Sequence, residues 1–82
     1  MINKKFIHDV VTFQNSLLHG KKDISYGFTN YGNYLYTSCV IWKNDKIIDS
    51  FYSTIHNNEE LESFKEKLKM FIEVKYNYGS KN

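Results

Sequence analysis

The chain contains no proline, no alanine and no arginine, and its 82 residues include one cysteine and four glycines. Without arginine, every positively charged side chain is a lysine, a compact point charge without the planar fork that reads guanine edges and clamps phosphates, so sequence-specific DNA recognition is disfavoured. A single cysteine, Cys39, excludes an intramolecular disulfide. Residues Met1 to Lys5 are basic, but His8, Asp9 and Gln14 interrupt the apolar positions that follow, so they do not form a signal peptide. No run of 18 apolar residues offers a membrane span. These absences predict a cytoplasmic protein in a reducing compartment. The glycines, at 20, 27, 32 and 79, are too scattered for a phosphate loop. No repeat, linker or low-complexity segment divides the chain, which reads as one domain over residues 1–82, near the size at which a core becomes thin.

What the chain has is aromatic and β-branched side chains, concentrated between Tyr34 and Ile55. Two runs rich in Val, Ile, Thr and aromatics flank Lys43-Asn44-Asp45-Lys46 there, the pattern of a long β-hairpin. Asn and Asp tolerate the left-handed backbone of a tight reversal, which makes Asn44-Asp45 a two-residue loop. With that loop, Trp42 would face Ile47, Ile41 would face Ile48, Cys39 would face Ser50 and Tyr36 would face Ser53. One face would then collect Tyr34, Tyr36, Val40, Trp42, Ile47, Phe51 and Ile55, and the other Leu35, Thr37, Cys39, Ile41, Ile48 and Tyr52. Both are apolar enough to be the core face, and a one-residue slip would re-sort every partner. The pattern does not choose between them.

From Phe6 to Leu18 apolar residues recur at three and four (Phe6, Ile7, Val10, Val11, Phe13, Leu17, Leu18), with Gly20 just beyond, which predicts an amphipathic helix and its left-handed stop. Ile24 to Thr29 alternates as a short strand, and Asn30-Tyr31-Gly32-Asn33 reads as a turn into the hairpin. After Ile55, Asn57 is placed to cap a second helix with Glu60 at its third position. Its buried stripe is Leu61, Phe64, Leu68, Phe71 and Ile72, with Glu62–Lys65 and Glu66–Lys69 pairs on the exposed side. Gly79 reads as its stop and Ser80 to Asn82 as a frayed end. The expected architecture is α+β, in the order α-β-β-β-α: a three-stranded antiparallel meander packed with two amphipathic helices. Either one helix lies on each sheet face, or both share one and leave the other to solvent.

No residue set carries recognisable chemistry. Cys39 lies mid-strand, and His8, His19 and His56 are the only imidazoles in the chain to activate it. His56 falls too far along the strand for hydrogen-bond reach. His8 and His19 are eleven residues apart, about 16 Å along a helix, too far to share an ion. His56, Glu59 and Glu60 are better explained as a capping loop. No catalytic residue, metal or cofactor is expected. The tyrosines at 26, 31, 34, 36 and 52 are the strongest remaining signal, since tyrosine combines rigid contact area with a hydroxyl and is enriched at interface hot spots.

The α-β-β-β-α order resembles the double-stranded-RNA-binding domain over Phe6 to Ile72, and VIWKNDKIIDSF resembles that family's second and third strands with their turn. That family opens its last helix with a basic Lys-Lys-x-Ala-Lys, whereas this chain has Asn57-Asn58-Glu59-Glu60-Leu61-Glu62, acidic where an RNA backbone would lie. In size, Asn/Lys/Tyr-rich usage and layout the chain is also similar to small phage-encoded inhibitors such as the anti-CRISPR proteins. That likeness implies a non-catalytic module that blocks a host nuclease or replication complex by occlusion, its partner a protein such as a CRISPR or other nucleic-acid-processing complex. The expected contacts are Tyr34, Tyr36, Trp42 and Tyr52. The alternative is nucleic-acid binding through Lys4, Lys5, Lys21, Lys22, Lys43 and Lys46, gathered at one end of the sheet. A third reading is a homodimer formed through the hairpin edge or its open face.

Overall fold

The computed structural model describes residues 2–78. Gly79 and Ser80 to Asn82, read above as a helix stop and a frayed end, lie outside them. Helix α1 spans Lys4–Leu18, strand β1 Ile24–Asn30, β2 Leu35–Lys43, β3 Lys46–Ile55, and helix α2 Asn58–Phe71, which continues as a π-helical segment over Ile72–Tyr78. The sheet is antiparallel in the order β1-β2-β3, so the expected α+β architecture is the one observed.

Helix α1 begins two residues earlier than its apolar stripe suggests, because Asn3 caps it: its Oδ1 accepts from the Phe6 amide at 2.9 Å. At the other end Gly20 adopts φ +84°, the conformation glycine takes most readily just past a helix. Asp23 then takes φ 64° to turn the chain into β1, a left-handed position the residue pattern did not announce. In the β1–β2 loop, Asn30 Oδ1 accepts from the Gly32 amide at 2.9 Å, and the Ile2 amide donates to the Gly32 carbonyl at 2.9 Å. The chain start is thereby tied to that loop.

The second hairpin turns at Asn44 (φ 52°) and Asp45 (φ 65°), the two positive angles of a type I′ reversal. Lys43 pairs with Lys46 and Trp42 with Ile47, as the two-residue loop requires, but the register then shifts by one. Ile41 pairs with Asp49, Cys39 with Phe51, Tyr36 with Thr54 and Leu35 with Ile55. Ile48 is the extra residue of this β-bulge, and it reverses the facing of everything after it on β3. The expected pairs Ile41–Ile48, Cys39–Ser50 and Tyr36–Ser53 are therefore not formed. Phe51 and Ile55 move to the face of Leu35 and Cys39, and Tyr52 moves to the face of Tyr36.

That correction also settles which face is the core. Leu35, Thr37, Cys39 and Ile41 are buried on β2 together with Ile55 on β3, and Leu35, Cys39 and Ile55 form one cluster with Val10 and Leu18 of α1 and Leu61, Phe64, Leu68 and Ile72 from α2 and its extension. Both helices thus cover one face. Phe64 joins the layers, edge-on to Phe13 of α1 at 6.0 Å and 6.3 Å from Phe51 of β3. Gln14, which seemed to interrupt the α1 stripe, is itself buried at 2% exposure, and its Nε2 donates to the Gly27 carbonyl of β1 at 3.1 Å. Tyr26 of the same strand donates to Asn15 Oδ1 at 2.7 Å. Strand β1 is therefore fastened to α1 by two side-chain bonds, neither visible in an apolar pattern.

Helix α2 opens as expected, with Asn57 Oδ1 accepting from the Glu60 amide at 2.9 Å. The reciprocal bond differs: Glu60 Oε1 reaches past the cap to the His56 amide and to His56 Nδ1, both at 2.8 Å. These bonds lower the Glu60 pKa, the side-chain bond contributing most. Lys65 pairs with Glu62 at 3.1 Å, but Lys69 does not pair with Glu66. Its ammonium lies 5.8 Å from the centre of the Phe13 ring, as does that of Lys65.

Candidate aromatic face and its surroundings

With both helices on one side, the other side of the sheet is open. Strand alternation puts Ser25, Gly27 and Thr29 of β1, Tyr36, Ser38, Val40 and Trp42 of β2, and Ser50, Tyr52 and Thr54 of β3 on it. No charged side chain occurs among these positions. Small residues fill the middle, so the large rings stand above a shallow floor.

Tyr36 and Tyr52 are diagonal neighbours across β2 and β3, and their rings stack at 6.0 Å with an interplanar angle of 14°. They are 37% and 52% exposed, and Trp42 is 36% exposed. The Trp42 indole N–H donates to Ser25 Oγ at 3.0 Å, which satisfies the polar end of the ring and fixes its lean toward β1. Ile47 and Ile48 add exposed apolar surface at the turn. The ring stack and the indole hydrogen bond fix how these part-exposed, uncharged side chains stand on the face.

Of the four rings singled out from the sequence, Tyr36, Trp42 and Tyr52 share this face. Tyr34 does not. It precedes β2 and stacks in the β1–β2 loop, 5.0 Å from the Tyr31 ring and 5.3 Å from His56. The bulge that brings Tyr52 beside Tyr36 had no signal in the pattern beyond the Ile47-Ile48 doublet, which breaks strict alternation.

The six lysines do not gather at one end. Lys21, Lys22, Lys43 and Lys46 lie at the hairpin end, where the Trp42 amide donates to the Asp23 carbonyl at 2.8 Å and Lys21 Nζ sits 5.8 Å from the Tyr76 ring centre. A cleft of about 210 Å³ there is lined by Asp23, Ile41, Trp42, Lys43, Ile48, Lys75 and Tyr76. Lys4 and Lys5 belong to the first turn of α1, at the opposite end. Lys5 there lines a hollow of about 430 Å³ with Asp9, Asn33, His56 and Asn57. The chain order causes this separation, because α1 runs the length of the domain between the two lysine pairs.

Cys39 is 1% exposed in the core, and burial pushes its thiol up to about 11, the opposite of what a nucleophile needs. Among the described residues, no three His, Cys, Asp or Glu side chains come together as metal ligands, and no helix is long and apolar enough to cross a membrane. No family model, curated protein or solved structure matches the chain.

Proposed function

We propose that this chain is a non-catalytic protein-binding module that acts by covering a partner's surface with its open sheet face, in the manner of the small phage-encoded inhibitors its layout resembles. The observation that carries the reading is the composition of that face: Tyr36, Tyr52 and Trp42 exposed over serine, threonine and glycine, with no charge among them. A solvated face on a chain with 24% charged residues would carry lysine and glutamate. The partner in this reading is a component of a host nucleic-acid-processing complex, held through the rings at the centre and through hydroxyls around them.

The test is quantitative capture from a bacterial host lysate by wild-type protein and by Tyr36→Ala and Trp42→Ala variants. A partner retained by the wild type should fall by at least about fivefold with either substitution, the equivalent of about 1 kcal/mol. Identical retention by all three proteins overturns the reading.

A second reading, binding of a nucleic-acid backbone at the hairpin end, is favoured by Lys43 and Lys75 flanking Trp42 and Tyr76 in the cleft there. Titration with single-stranded and duplex nucleic acid at two salt concentrations tests it, since phosphate contacts give a steep salt dependence. No binding at low salt removes it.

A further inference from the structure

The cleft at the hairpin end is built from three parts of the chain that the fold brings together. Asp23 comes from the turn into β1, Ile41, Trp42, Lys43 and Ile48 from the β2–β3 hairpin, and Lys75 and Tyr76 from the extension of α2. That extension, Ile72–Tyr78, is π-helical, a winding that is rare and occurs frequently at functional sites. It begins at the buried Ile72 and carries Lys75 and Tyr76 to the hairpin.

The walls are apolar and anchored. Ile41 is 3% exposed, and Tyr76 packs against the rim of the core. Trp42 is tied to β1 and to the turn before it, through its amide on the Asp23 carbonyl and its indole N–H on Ser25 Oγ. Both of its donors are thereby used, so toward the cleft the ring offers carbon and π surface alone. The charges are unbalanced. Lys43 and Lys75 line the cleft and Lys21 lies over the Tyr76 ring, against one carboxylate in the lining, that of Asp23.

We propose that this cleft takes one unstacked nucleotide of a single strand, its base against Trp42 and Tyr76 and its phosphate at Lys43 and Lys75. The proposal rests on the second reading above, the binding of nucleic acid at this end, and names the unit that is gripped. A ligand that satisfies both halves of the lining needs a flat π-face and a compact anion on one body, which a nucleotide has. An aliphatic anion would leave the rings without a stacking partner, and a neutral aromatic would leave the lysines without an anion. Size narrows the occupant further. The volume of about 210 Å³ is less than the roughly 300–1,000 Å³ of a site for a drug-sized ligand, room for one base and not for a stacked pair. Bases inside a duplex have both faces covered by their neighbours, so only a strand with a base turned out can reach the rings. Lysine, a point charge without a planar fork, holds phosphate without reading a base edge, so the site tolerates any base.

Trp42 is the single tryptophan, and its fluorescence in the full chain reports occupancy of the cleft. Adenosine 5′-monophosphate should change it saturably. Adenosine should bind at least about fivefold more weakly for want of the phosphate, and inorganic phosphate should leave the signal unchanged. Tyr76→Ala should weaken nucleotide binding by at least about fivefold, while Tyr76→Phe, which keeps the ring, should not. Because Tyr76 is half-buried, a second set of variants uses exposed positions. Lys43→Gln with Lys75→Gln should weaken binding at least about fivefold, whereas Lys4→Gln with Lys67→Gln, which removes the same charge elsewhere, should not. No saturable response up to about 10 mM nucleotide overturns the proposal, as do equal affinities for nucleotide and nucleoside or equal losses from the two lysine pairs. A single strand whose salt-dependent binding is unchanged by Tyr76→Ala removes the cleft and leaves the backbone reading standing. Absence of strand binding at low salt removes both.

Discussion

The one-residue bulge at Ile48 decides which of two adjacent rings holds the domain together, and paired alanine substitutions measure that decision. Phe51 lies between Phe64 and Phe71 at 6.3 and 5.6 Å, on the covered face and against a side chain that is 1% exposed. Truncating it removes most of an aromatic ring from that contact and leaves a cavity under β3, at a cost of about 3 kcal/mol. Tyr52 is its sequence neighbour but stands on the open face, 52% exposed, with the Tyr36 stack as its main contact. Such a pair contributes about 0.5–1.5 kcal/mol. For a domain of this length 1 kcal/mol corresponds to about 4–8 °C in melting temperature. Phe51→Ala should therefore lower the midpoint by about 12–24 °C and Tyr52→Ala by about 2–12 °C. Thermal unfolding at low micromolar chain concentration is the assay, with unchanged urea m-values confirming that the same surface is exposed. Equal losses, or a larger loss for Tyr52→Ala, would show that β3 is not bulged and that the aromatic face is assigned to the wrong residues.

Three further outcomes follow from named contacts. Asp45→Gly should raise stability by about 0.5 kcal/mol, because Asp45 holds φ 65° at a position glycine adopts without strain, while Asp45→Val should lower it by about 1 kcal/mol or more in the same unfolding assay. Gln14→Ala should cost about 1–3 kcal/mol by leaving the Gly27 carbonyl without its buried donor, and amide exchange in β1 should accelerate more than in β3. Burial raises the Cys39 thiol from 9.0 to about 11, so the folded state keeps a proton that the unfolded chain releases. Stability should accordingly fall as pH rises from about 9 to 11, by about 2–3 kcal/mol in total. Cys39→Ala should remove that increment from the alkaline loss, and native Cys39 should resist thiol reagents that label the unfolded chain.

Element types and order were legible because their signals are local. The apolar periods of α1 and α2, the Asn57 cap and the Asn44-Asp45 reversal each depend on residues a few positions apart. The open face was half legible: the pattern offers Tyr34, Tyr36, Trp42 and Tyr52, but a two-residue loop without a bulge puts Tyr52 on the side away from Tyr36, and Tyr34 lies in the loop against Tyr31. A bulge adds one residue, inverts all later facing on its strand and leaves composition untouched, and either Ile47 or Ile48 fits the apolar pattern. Gln14 was hidden for a related reason. A buried amide looks like an interruption until the carbonyl it serves, thirteen residues on, is brought beside it. The lysines misled because linear charge density says nothing about the length of helix between Lys5 and Lys21.

Every strand in the sheet pairs with its neighbour in sequence, through connections of four residues (31–34) and two (44–45). Closing such short connections takes little chain entropy and proceeds on the microsecond scale. Contacts within the sheet are therefore local in sequence, and the longest closure the fold requires is the one that brings α1 against α2, where Phe13 meets Phe64.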